Sequence, residues 1–77
     1  SDPFSWATLS EVAWSGEEGV VALSNENGVK LLFGRNRFDQ KMEHWTAFYK
    51  HVVTPKGINS FRSVDLRFRN QIVTDEL

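Results

Sequence analysis

Apolar and polar residues alternate most clearly in the last third of the chain. Between Phe61 and Thr74, Val64, Leu66 and Phe68 fall on one side, and Ser63, Asp65, Arg67 and Arg69 fall on the other. A period of two marks a strand with one buried face. This stretch is therefore expected to form a last strand whose apolar face carries Phe68. So close to the C-terminus, such a strand is readily left at a sheet edge, where its free N–H and C=O groups are either a hazard or a docking site.

Residues 20–34 carry the strongest local signal. Val20 to Ser24 and Val29 to Phe33 flank Asn27-Gly28, the preferred pair for a tight type I′ hairpin turn because both of its central residues need positive φ. From Phe38 the period changes. Phe38, Met42, Trp45, Tyr49 and Val52 recur at steps of four, three, four and three, with Phe48 widening the stripe, which places them on one face of a helix packed on the sheet. Asp39 is the expected cap. Thr54-Pro55-Lys56-Gly57 is the expected end, since proline cannot continue a helix and glycine accepts left-handed geometry.

The first sixteen residues are balanced. Asp2-Pro3 resembles a helix start, and Trp6, Leu9 and Val12 have helical spacing. Trp6, Thr8, Val12 and Trp14 are nevertheless strand formers, and they lead into the turn Gly16-Glu17-Glu18-Gly19. The reading leans to a strand over residues 6–14. The order strand, hairpin, helix, strand is an α+β arrangement: a small, mostly antiparallel sheet with one helix packed on one face.

Composition narrows the function. With 77 residues the chain is expected to be one domain, burying only about 60% of its unfolded surface. It has no cysteine, so neither disulfides nor a thiolate metal site supplement the apolar core. The net charge of −1 gives no bulk attraction to nucleic acid or acidic membranes. No apolar run approaches the roughly 20 residues of a membrane-spanning helix. The absence of an initial methionine suggests a piece of a longer protein.

Candidate chemistry is sparse. His44 and His51 are seven residues apart, about 10 Å along a helix, too far to share one metal ion. Glu17 with Glu18, and Asp39 with Glu43, lack the burial that would separate two carboxyl pKa values. No serine sits in a nucleophile elbow. Gly34-Arg35-Asn36-Arg37 before the helix resembles a loop that holds an anion at a helix N-terminus, but it lacks the phosphate-binding loop signature, and the favoured reading is a strand-to-helix connection with solvated arginines. Lys56, Arg62, Arg67 and Arg69 with Phe61 and Phe68 suit single-stranded nucleic acid, but alternation turns Phe68 inward, away from a stacking role. No catalytic residue, cofactor or metal site is expected.

Several ordered features together resemble the C-terminal part of the extracytoplasmic β-domain of the bacterial cell-division family FtsQ/DivIB, in the form found in Bacteroidetes. They are Phe4-Ser5-Trp6, the hairpin leading to Val29-Lys30-Leu31-Leu32-Phe33-Gly34, Lys41 and Met42 through Phe48 and Tyr49, then Gly57. Val64-Asp65-Leu66-Arg67 and Asn70-Gln71-Ile72-Val73 complete the set. The similarity covers roughly residues 4–74 and favours the strand for residues 6–14.

The resemblance implies a non-enzymatic divisome scaffold on the periplasmic side of the inner membrane. Family members have a short cytoplasmic tail, one membrane helix, a POTRA domain and the β-domain, and residues 1–77 would be part of the last. It implies protein partners of the FtsB and FtsL type, bound by strand addition along the final strand, and no nucleic acid. Carried over by position, Arg67, Phe68, Asn70, Ile72 and Thr74 would line that edge. A piece shorter than the full β-domain also offers its first strand as an edge for self-association. The alternative is an unrelated α+β interaction module of a surface or secreted protein. A small enzyme or nucleic-acid binder ranks third.

Overall fold

The computed structural model describes residues 6–69 and 71–77. It has an α+β fold: five strands form one sheet in the order β1-β2-β3-β4-β5, with one helical run on one face. The strands are β1 (Leu9–Ser15), β2 (Gly19–Ser24), β3 (Lys30–Gly34), β4 (Phe61–Asp65) and β5 (Val73–Glu76). Neighbours pair antiparallel except β3 and β4, which are parallel. A parallel pair cannot be closed by a tight turn, and the helical run between β3 and β4 supplies the crossover.

The N-terminal segment combines its two sequence readings. Trp6 and Ala7 are helical, and the strand begins at Leu9 rather than residue 6. The possible cap at Asp2-Pro3 lies outside the described residues. The hairpin turn is wider than the expected two-residue type. Asn27 and Gly28 both have left-handed backbones, φ 62° and 56°, as Asn-Gly requires. However, residues 25–28 all lie in the turn. The buried Ser24 explains the width. Its N–H donates to the Val29 carbonyl at 2.9 Å, and the Val29 N–H donates back to the Ser24 hydroxyl at 2.8 Å.

Helix α1 (Phe38–Phe48) starts at Arg37, a left-handed N-cap residue whose side chain makes no cap bond; Asp39 lies in the first turn instead of capping. The buried face is rotated from the one expected. Trp45 is fully buried, while Phe38 at the start of the stripe is exposed and Lys41 is buried. The helical run does not stop before Pro55. Tyr49–Val53 form a π-helical turn, and Thr54–Lys56 continue as an α turn. The Thr54 N–H donates five residues back, to the Tyr49 carbonyl. Such widening gives room for a proline ring that would collide with the carbonyl four residues earlier. Gly57, at φ 95°, ends the run.

The core lies between the helical run and β2–β4. It contains Ala22, Val29, Leu31, Phe33, Trp45, Val53, Ile58, Phe61, Val64 and Leu66. Trp45 stacks on Phe48 and meets Tyr49 edge to face, and Phe48 meets Phe61 edge to face. The Trp45 indole N–H donates to the Thr8 hydroxyl at 2.8 Å, which ties the segment before β1 to the helix.

Candidate partner-binding edge

The alternating stretch from Phe61 to Thr74 is two strands, not one. β4 ends at Asp65, and the chain returns antiparallel as β5 from Val73. Asp65 accounts for the break. One oxygen of its carboxylate accepts the Arg67 backbone N–H at 3.0 Å and Nε at 2.9 Å; the other takes the guanidinium at 2.6 Å. A carboxylate bonded to the backbone two residues on makes a local turn that competes with the strand ladder. Val64 and Leu66 are buried as the alternation requires, but beyond this turn Phe68 swings out to 45% exposure. The inward position expected for Phe68 is thus overturned.

The Asp65–Arg67 pair also sets the local electrostatics. Burial pushes the Asp65 carboxyl up, but the hydrogen bonds and charge of Arg67 outweigh it and hold the group below the usual carboxylate range. The same bonds hold Arg67 above its ordinary value. Both donors of the guanidinium fork are satisfied within the turn, which fixes the loop leading to β5.

β5 is one end of the sheet; β1 is the other. Of the residues assigned to the partner edge, Thr74 lies on β5, half-buried and opposite Val64. Ile72 precedes the strand and packs against the core. Arg67 and Phe68 belong to the loop before it, and Asn70 lies outside the described residues. Sequence reasoning passed over Val73, which opens β5 and is exposed. Its side chain continues the β-branched run with Ile72 and Thr74, a strand signal lost when the two strands were read as one.

Concave surfaces lie on either side of α1. An apolar groove runs between α1 and β1, bordered by Leu9, Val12, Phe38 and Met42. A smaller hollow of about 240 Å³ lies at the N-terminal end of α1, lined by residues including Arg37, Lys41, Arg67 and Arg69. On β1, Trp14 is 62% exposed and lies under the Arg35 guanidinium, 5.2 Å from its ring centre. Arg35 also donates to the Gly16 carbonyl, so the loop before α1 is anchored to the β1–β2 turn. Among the described residues no three His, Asp or Glu side chains cluster as metal ligands. His44 and His51 are both exposed on the helical run.

Comparison with known proteins places this architecture. The family described as "FtsQ/DivIB, C-terminal related" matches residues 1–75. A relative named "Cell division protein FtsQ", from Rhodothermus marinus, is 32% identical over 53 residues, covering 69% of this chain. The matched stretch spans about a fifth (19%) of that relative's length. A match over nearly every residue, on a sheet whose order follows the ordered motifs, leads to one conclusion: this chain belongs to the FtsQ/DivIB, C-terminal related family.

Proposed function

We propose that this segment is a non-enzymatic scaffold of the cell-division machinery, holding small partners of the FtsB and FtsL type by accepting a partner strand along β5. The observation that carries the reading is the position of β5. It ends the sheet order with β4 on one side, so its other side offers main-chain donors and acceptors to an incoming strand. Family membership supplies the division context. On this reading the 77 residues are one domain of a longer, membrane-anchored polypeptide and face the extracytoplasmic side.

Backbone pairing supplies affinity that is indifferent to sequence, while side chains flanking the strand select the partner. Val73 and Thr74 on β5, with Arg67 and Phe68 in the preceding loop, are the side chains placed for that selection. The test is an amide NMR titration with a peptide from the C-terminal region of the organism's FtsB-like protein. Shifts are expected to concentrate in residues 73–76 and in their β4 partners. N–H groups along an edge strand alternate between inward and outward. Of Thr74→Pro and Asp75→Pro, the variant that removes the outward N–H is therefore expected to stay folded and lose the peptide. Undiminished affinity in both variants, with both folded, would refute strand addition at this edge.

A further inference from the structure

The hollow at the N-terminal end of α1 is built around a cation with no direct hydrogen-bond or ion-pair partner among the described residues. That cation is Lys41, which is 7% exposed. Asp65 is the carboxylate whose charge reaches it, and both Asp65 oxygens are taken by Arg67. Four cationic side chains, Arg37, Lys41, Arg67 and Arg69, converge on this hollow from the helix start and the β4–β5 loop. Asn36, Gln40 and His44 also line it. Arg37, as the N-cap residue, makes no side-chain cap bond, so the first-turn N–H groups of the eleven-residue α1 lack that partner.

Gly34 makes the cradle. A Cβ built there would lie 3.2 Å from the Lys41 ammonium and 3.1 Å from the Arg67 Cγ. The bare backbone at the end of β3 therefore lets the lysine and the arginine stem pack side by side. Burial, the largest influence, and the charge of Arg37 hold Lys41 below the ordinary lysine range, so its protein surroundings disfavour the charge it carries. The lysine stem is packed away while its ammonium opens onto the hollow, so an anion held there would supply the negative charge that the neighbouring groups do not.

We propose that this hollow is a binding site for a doubly charged oxyanion of the phosphate class, with Lys41 at its base, Arg37 and Arg69 at its rim and the α1 N-terminus facing the ligand. Four cations, set against the Asp65 carboxylate and the charge of Glu18 that reaches Arg67, leave an excess of about two that a dianion balances better than a single carboxylate does. Helix N-terminal N–H groups suit tetrahedral oxyanions. The volume of about 240 Å³ admits a phosphoryl group with water. Phe68, exposed beside the arginines, forms an apolar wall. The site does not depend on strand addition at β5, and either can fail without the other.

The test is an amide NMR titration of the whole 77-residue chain with inorganic phosphate, run against chloride at matched ionic strength and against acetate. Saturable shifts confined to residues 36–44 and 67–69, larger with phosphate than with acetate, are the expected result. Lys41→Met is expected to weaken phosphate binding by about tenfold or more while leaving the folded spectrum and the thermal midpoint intact or raised. Arg37→Gln serves as a second, fully surface variant with the same expected loss. Shifts that are diffuse, unsaturated and equal for phosphate and chloride would overturn the site. Acetate binding as tightly as phosphate would overturn its assignment to a dianion, and full affinity in Lys41→Met would remove Lys41 from its base.

Discussion

Replacing Trp45 by alanine tests the packing that holds the sheet and helix together. The side chain is fully buried, touches Phe48 and Tyr49 with its ring and donates its N–H to Thr8. Truncating a buried tryptophan costs about 3–5 kcal/mol through lost transfer energy and the cavity left behind. Losing the hydrogen bond adds about 1 kcal/mol. A chain of this length has about 4–12 kcal/mol of stability in all, at roughly 0.05–0.15 kcal/mol per residue. The substitution thus removes between a third and the whole of it. At about 4–8 °C per kcal/mol for a domain of this size, the midpoint should fall by roughly 16 °C at least, or the chain should be unfolded at room temperature.

Trp45→Phe separates the two contributions, since it keeps a ring in the cavity and removes only the donor and part of the volume. A loss of about 1–2 kcal/mol is expected. Thermal unfolding by circular dichroism reads both values. Intrinsic fluorescence adds a site-specific signal, because the other tryptophans, Trp6 and Trp14, are exposed and Trp45 is the source of blue-shifted emission. A Trp45→Ala chain that melts within a few degrees of the parent would show that the aromatic stripe is not the core.

Two further outcomes follow from the same geometry. Asp65 has a depressed carboxyl pKa in the folded state, so its contribution is present above the unfolded value of about 3.9 and lost as pH falls through the lower folded value. Acid titration of the thermal midpoint should fall through that window, and Asp65→Asn should flatten the slope; an unchanged slope would show that the Arg67 pair carries no linkage. At the other end of the sheet, the exposed Val12 and Trp14 on β1 make concentration-dependent self-association of the isolated chain the expected behaviour, with Trp14→Lys suppressing it. A monomeric mass by light scattering at high concentration would rule it out.

What the sequence settled by itself was whatever local chemistry alone decides. Asn27-Gly28 forces left-handed geometry whatever surrounds it, so the hairpin was legible. The helical repeat placed Trp45 in the core because that residue sits at the middle of the apolar stripe, where a modest rotation of the face leaves it buried. The ordered motifs identified the family because they recur from the segment before β1, through the hairpin and the helix, to β4 and β5. Where local signals were matched or masked by partners distant in sequence, only tertiary structure decided. Burial of Lys41 beside Gly34, and exposure of Phe38, come from how α1 sits against the end of β3, which no periodicity reports. The break between β4 and β5 turns on the Asp65 carboxylate choosing the Arg67 backbone over solvent. That choice carries Phe68 outward and leaves β5, not a longer strand through Arg67, at the edge of the sheet. Alternation in sequence states which face a residue would take in an extended chain, and side-chain hydrogen bonds decide where the chain stops being extended.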